Sequence, residues 1–552
     1  MQSLRQLRTS AVCKHRVCAR HGFRQCLFYS VVVLVTFVSI TGLGAGRLWA
    51  AGGTLTLNLV DETTDEPVIS RVECFRVQPG KRDKPMPIRQ TVDAGMGVVV
   101  DRSVLMELPD GAYRLQIIRG PEYRVVGASF SLEKTSLDEK TVALPRMIEM
   151  KREGWMSGDC CVVPSSNSLP LRMASEDLHV VAVLEDVPAK PIPHRDSDEP
   201  IEHTPTWIRS DVVSAEGLIF YGVDDAFRSE IAAAKSSTEM LVAASRSELA
   251  GQLKVGVENP FAWELPVWLA SQKLDGLFVM GDWLRLDKTI YQVRDGRGEQ
   301  AFSLREPTQV GRYAEQIYRH LLDAGIDIVP LAGGGDDSAG TPVGYNRLYV
   351  TSHHEATNET GVSRPVLPTS SRQWWDGVWQ GRSVATNGPL LRPLVAGTLP
   401  GHVFEGRTGE VLQLHPELNL TVRDPVDYLE VIYNNQVHYS ARLDEFAEAG
   451  GRIPPIEAKQ SGWVIMRVLT LHEGHYRAAM TAPWWIEFDG ERRVSQASVE
   501  FFRAWLSAYE KRLAQTQPEA IDREAPFVRA ARRFWTRRAE QSKRWTGSAV
   551  AK

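Results

Sequence analysis

Between residues 151 and 400, short apolar runs alternate with helix-length segments, and this alternation restricts the fold more than anything else in the chain. The runs LHVVAVLE (178–185) and LDGLFVM (274–280) have the length and apolar continuity of strands covered on both faces. In 306–327, Val310, Tyr313, Ile317, Leu321 and Leu322 fall near one helical face, and Gly325 supplies the stop. DIVPLAGGG follows at once, a strand running into a glycine-rich loop. Strand and helix in alternation predict an α/β barrel or a layered sheet, with any site at the C-terminal ends of the strands.

The flanking regions have a different texture. TLTLNLVD (54–61) and VISRVECFRV (68–77) alternate with period two, and Asp-Gly and Gly-Pro pairs punctuate 109–133. This predicts a small β-sandwich over 51–150 without a cluster of histidines, cysteines or acids suited to catalysis. Past residue 400 the pattern is β again: VLQLHPELNLTV (411–422), YLEVIYNNQVHY (428–439) and GWVIMRVLTL (462–471) read as strands, with Asn434-Asn435 as a turn. At the end Val499, Phe502, Trp505, Leu506, Tyr509 and Leu513 share a helical face, so this helix should dock on the body. The basic, aromatic-laced stretch 526–545 reads as a second docking helix with a solvated cationic face. The expected class is multidomain α/β plus β: a leader (1–50), a β-sandwich (51–150), an α/β barrel (151–400), a C-terminal β domain (401–492) and a helical tail (493–552).

The leader carries Arg5, Arg8, Lys14, Arg16, Arg20 and Arg24, and the first acidic residue is Asp61. A charge-free apolar run, 26–46, follows, with small residues at Ala50 and Ala51. That order predicts a secretory signal peptide; the alternative is a retained N-terminal anchor, since the run just reaches membrane-spanning length. Either way the bulk of the chain is expected outside the cytoplasm, periplasmic or extracellular, or anchored and facing outward. A net charge of -4 over 552 residues argues against a general nucleic-acid binder. Of six cysteines, Cys13, Cys18 and Cys26 lie in the leader, which leaves Cys74, Cys160 and Cys161, too few for a disulfide framework.

Several segments, in order, resemble the PHP (polymerase and histidinol phosphatase) superfamily in its secreted CehA/McbA-like metallohydrolase branch. They are LPDGAYRLQIIRGPEY (108–123), GWMSGD (154–159), RMASEDLHVVAV (172–183), VENPFAWELPVWLASQKLDGL (257–277), PVGYNRLYV (342–350) and GVWQGRSVATNGPLL (377–391). The resemblance implies a PHP-like distorted β/α barrel in the centre and a site for a divalent metal. It implies a first barrel strand Gly-Asp-Leu-His-Val-His, whose two imidazoles share a strand face and grip one ion. Gly158 and Asp159 match that pattern, but Cys161 and Val163 stand where the histidines belong. A third histidine position falls on Trp283, preceded by Asp282. Glu258 is retained as a ligand or a loop brace, and Asp336 or Asp337 stands near the last ligand position. The degenerate-site candidates are therefore Asp159, Cys161, Glu258, Asp282, Asp336 and Asp337.

The remaining histidines do not rebuild the clamp by pattern. His353 and His354 are adjacent and would face opposite sides of a strand. His194 and His203 lie in a Pro-rich loop, and His472 and His475 read as turn residues. Gly-x-Ser-x-Gly, Walker A and dinucleotide motifs are absent. The sequence therefore predicts an exported pseudoenzyme that binds an extracytoplasmic ligand or protein, without a cofactor and without nucleic acid, with membrane attachment through 26–46 if the leader is retained. The alternative is a hydrolase of ester, amide, carbamate or phosphoester bonds. There Cys161, Glu258, Asp336, Asp337 and a loop histidine such as His203 would hold zinc, manganese or iron. A third reading assigns sugar stacking to the aromatic segments RQWWDGVW (372–379) and PWWIEF (483–488).

Overall fold

The computed structural model describes residues 52–163, 168–185, 206–249, 251–286, 296–298, 302, 306–336, 340–356, 363–472 and 475–547. The leader, His194, His203 and Asp337 lie outside them. Among the described residues no helix is long and apolar enough to cross a membrane. The protein is mixed α/β and dominated by strands assembled into sheets.

Residues 53–144 form two sheets. Gly53–Asp61 is flanked by Ser103–Leu108 and Leu137–Leu144, and Ile69–Arg76 centres a larger antiparallel sheet with Gly111–Ile118 beside it. Alternate residues of the first strand, Leu55, Leu57 and Leu59, point inward to meet Val72, Leu115 and Ile117 from the other sheet in one apolar core. The period-two pattern of TLTLNLVD is this burial.

In the centre seven strands follow one another laterally. They are Met156–Val163 (first), Val180–Glu185 (second), Trp207–Ala215 (third), Leu218–Tyr221 (fourth), Lys254–Val257 (fifth), Gly276–Met280 (sixth) and Val329–Ala332 (seventh). All run parallel except the fourth, which folds back on the third through a two-residue turn. Glu216 and Gly217 both have positive φ there (51° and 83°), the turn whose twist matches paired strands. The chain leaving the seventh strand then pairs Gly335–Asp336 with Val162–Val163 of the first, so the row of strands returns to its start. The apolar interior includes Phe220, Tyr221, Phe278 and Leu331.

The other edge of the first strand pairs with Arg347–Val350, which leads through Ser383–Thr386 and Ala478–Thr481 to Gly462–Thr470 and Val426–Tyr433. Hydrogen bonding is thus continuous from the central strands into the C-terminal β region. The stretch read as one strand over 411–422 is two, because the chain breaks between Leu412–Leu414 and Pro416–Thr421, which join different partners. Asn434 and Asn435 do form the turn, both at positive φ (50° and 65°). The helix Gln496–Thr516 buries all six residues of its expected face. The helix Ile521–Gly547 buries Val528, Ala531, Phe534 and Trp535, and the Trp535 indole donates to the Pro266 carbonyl at 2.9 Å. Trp374, Trp375, Trp484 and Trp485 are buried packing residues. The Trp374 indole donates to the Met156 carbonyl at 3.0 Å, and a Cβ on Gly158 would meet that ring at 2.3 Å.

Candidate functional site

The first strand carries the departure from its expected pattern. Gly158 and Asp159 pair with Val180 and Val181, but the next pairing is Val162 with Val183, so Cys160 and Cys161 together face Ala182. This is a β-bulge, and a bulge leaves one residue's backbone groups outside the ladder and re-aims the side chains. Both released groups are captured. The Cys161 N–H donates to Asp159 Oδ1 at 2.9 Å, and the Cys160 carbonyl accepts from the Tyr221 hydroxyl at 2.9 Å. Cys161 is buried while Val163, two residues on, is 36% exposed, so the i, i+2 alternation does not survive here.

Asp159 is fully buried, and its carboxylate is occupied. Besides Cys161, it accepts from the Gly334 N–H through Oδ1 and Oδ2 at 3.1 and 3.0 Å, and from the Gly344 N–H through Oδ2 at 2.9 Å. Burial raises its pKa to about 7, opposed by these backbone donors and by Arg347. The run Gly333-Gly334-Gly335 is what lets the chain pass so close: a Cβ on Gly333 would lie 2.8 Å from both Asp159 Oδ1 and the Cys161 Cβ. On Gly335, at φ +70°, a Cβ would lie 2.7 Å from that of Asp282. Asp159 is thus the knot that joins the bulge, the glycine loop and the 342–346 loop.

Glu258 follows the fifth strand directly and is held by the Ser214 hydroxyl, which donates to Oε2 at 2.6 Å. Burial, first, and then the neighbouring charge of Asp282 raise its carboxyl pKa to about 7, while Ser214 opposes. The Cys161 thiol is held well above its ordinary range by burial and then by Glu258, Asp159 and Asp282. Cys161, Glu258 and Asp282 are therefore electrostatic neighbours at the C-terminal ends of the parallel strands, where the sequence placed a site. Asp336 is in the short strand that closes the row, and Asp337 is outside the described residues. Trp283 is 4% exposed and meets the Phe261 ring edge-on at 5.4 Å, filling apolar space where an imidazole was expected.

Of the expected donors, Asp159 has given its oxygens to backbone N–H groups and so does not fit as a metal ligand, while Asp337 and His203 lie outside the described residues. Among the described residues no group of three or more His, Cys, Asp or Glu side chains is placed to hold an ion. His472 and His475 lie in the connection between Gly462–Thr470 and Ala478–Thr481, their rings edge-to-face at 5.0 Å.

Sequence reasoning missed two asparagines that assemble this end. Asn346 donates to the carbonyls of Gly281 and Leu284 at 2.9 and 3.0 Å, tying the loop that carries Asp282 and Trp283. Asn387 donates to Asn346 Oδ1 at 3.2 Å and to the Tyr476 carbonyl at 2.9 Å. Both lay inside quoted segments, GYNR and ATNG, as polar residues between apolar runs. His179 was also missed. It is buried, its Nδ1 lies 2.8 Å from the Ser157 hydroxyl, and burial pushes its pKa down to about 3 against the pull of Asp177.

The described residues form a mixed α/β, β-rich protein with a buried acid-and-thiol cluster at its strand ends. No protein-family model matches the chain, and no curated protein matches it. Two solved structures of Parabacteroides merdae β-glucuronidase, one with glycerol in the active site, align at 10% identity, with TM-scores of 0.15 and 0.14. The alignments cover 77% and 76% of this chain and 60% and 61% of those chains, so the chain spans about three fifths of the length of the structures it matches. Likeness at that level supports no statement about function.

Proposed function

We propose that the chain is an exported binding protein built on a PHP-like distorted barrel that has given up its metal. The returning row of seven strands is read as that barrel, the sheets of 53–144 as its leading β-sandwich, and the strands beyond residue 400 as a C-terminal β domain. The observation that carries the reading is the Asp159 carboxylate. In a working clamp it would stand beside imidazoles on one strand face; here a bulge stands in their place and Asp159 secures it with three backbone donors. Cys161, Val163 and Trp283 at the imidazole positions agree with that. A hydrolytic metal must stay bound while it acidifies water, and this donor set supports neither task.

Titration calorimetry of the purified protein with zinc, manganese and iron(II), followed by elemental analysis, tests the reading. The expected result is substoichiometric metal and no heat of tight binding. Near-stoichiometric metal that Glu258→Ala abolishes would overturn it. That outcome would favour the second reading, a hydrolase with a rebuilt site, for which the convergence of Cys161, Glu258 and Asp282 is the supporting observation.

A further inference from the structure

A polar cavity is walled by residues of 71–147, by the 342–347 loop and by the C-terminal β region. Its volume is about 650 Å³, within the range that holds a small molecule. It shares the Gly344 peptide with the strand-end cluster but none of that cluster's acids or thiols. Five arginines line it against three acids, Glu73, Glu176 and Asp424, an excess of two positive charges with histidine taken as neutral, one of them on the exposed Arg124 at the rim.

The pairing within the cavity is uneven. Arg71 is satisfied by Glu73 and Glu176, at 2.5 and 2.6 Å. Arg477 pairs with Asp424 at 2.7 Å, yet its Nε has no hydrogen-bond partner. Arg347 is 2% exposed and donates to the carbonyls of Gly344 and, at 3.0 Å, Glu176. Arg423 donates to the Gly120 carbonyl at 3.1 Å and, among the described residues, has no carboxylate at ion-pair distance. The Tyr345 hydroxyl is buried beneath the Arg477 guanidinium, which is its hydrogen-bonding neighbour. Gly120, at φ +56°, is where the cations crowd: a Cβ there would be 3.5 Å from Arg347 Nη1. Burial and then the charge of Arg477 push Arg423 down to about 10, opposed by Asp424 and Glu176 and reinforced more weakly by Arg347.

Holding guanidinium groups out of water with fewer carboxylates than cations is expensive, and a protein that does so usually has an anion to supply the balance. We infer that this cavity binds a phosphate-bearing small molecule, its phosphate seated among Arg347, Arg423, Arg477 and the Tyr345 hydroxyl. A tetrahedral dianion suits the site better than a carboxylate does. It cancels the excess of two charges, and its oxygens can address three forks at once, whereas one carboxylate is satisfied by a single bidentate arginine. The remaining volume is room for the group that carries the phosphate. This inference does not depend on the fate of the strand-end site.

Inorganic phosphate, titrated into the full chain by calorimetry and followed in parallel by thermal unfolding, is the test, with succinate and sulfate as comparison anions. Phosphate is expected to bind and to raise the unfolding midpoint, with succinate at least about tenfold weaker. Arg423→Met and Arg477→Met should each weaken phosphate about tenfold or more. Arg423→Met without phosphate should be as stable as the parent or more so, because it removes a crowded cation. A midpoint indifferent to phosphate would overturn the inference, as would equal affinity for succinate or unchanged phosphate binding in both variants. An Arg423→Met protein that is destabilised to the same degree with and without phosphate would show a strut to Gly120 instead. Metal binding is measured separately, so failure here leaves the reading of the strand ends untouched.

Discussion

At the scale of single residues, the Asp159 carboxylate shows what a motif match can conceal. Its position agrees with the metallohydrolase pattern, yet the structure spends both oxygens on the backbone of three segments. Asp159→Asn would turn an amide N–H₂ toward N–H groups that now donate, leaving at least one buried donor unsatisfied. The expected cost is about 2–3 kcal/mol in urea unfolding, with no change in metal affinity. Loss of a measurable metal affinity without loss of stability would restore Asp159 as a ligand. That Val163 and Trp283 cannot coordinate a metal was legible from residue type alone. The bulge was not. Its cause is a carboxylate one residue before it and a tyrosine hydroxyl from a distant strand, and neither leaves a local signature.

At the scale of elements, sequence was most reliable where one physical signal governed the outcome. Helical periodicity placed the whole buried face of Gln496–Thr516, and the paired asparagines marked their turn because both residues tolerate left-handed backbone. It was weaker where partners decide: 411–422 alternates evenly, but Leu412–Leu414 and Pro416–Thr421 belong to separate pairings. The helix Ile521–Gly547 was expected to dock with a solvated cationic face, and Trp535 is where it docks. The side chain is fully buried and donates to Pro266, 269 positions earlier. Trp535→Ala should cost about 3–5 kcal/mol through the lost burial and the orphaned carbonyl. Chemical denaturation followed by far-UV circular dichroism measures it, and a change below about 1 kcal/mol would mean that the helix is not docked this way.

At the scale of the whole molecule, the parts are less separable than the shifts in sequence texture suggested. The sheet runs unbroken from the central strands through Ser383–Thr386 to Ala478–Thr481, and that pairing has no sequence signal because its members are nearly a hundred residues apart. Burial of ionisable groups throughout this body gives the protein an acid-shifted stability profile. Glu122, Asp159 and Glu258 all have pKa values raised to about 7, with burial the main cause in each. A carboxyl raised in the folded state contributes stability that is complete below its unfolded pKa and is lost as pH climbs through the folded value. The window for that loss is about pH 4 to 7 and slightly above. His179 and His320 oppose it. Burial lowers them to about 3 and about 4, so the unfolded chain gains their protons first as pH falls below about 6.5. Three carboxyls against two imidazoles leave the folded state holding about one more proton near neutrality. Stability should therefore fall by about 1 kcal/mol per pH unit between roughly pH 6 and 7.5. Glu258→Gln keeps an acceptor for Ser214 and removes one of the three titrations. The variant should match the parent below about pH 4 and exceed it by about 3 kcal/mol at pH 8. Urea midpoints across that range decide the matter, and a parent whose stability rises from pH 6 to 8 would show that these carboxyls are charged in the folded protein.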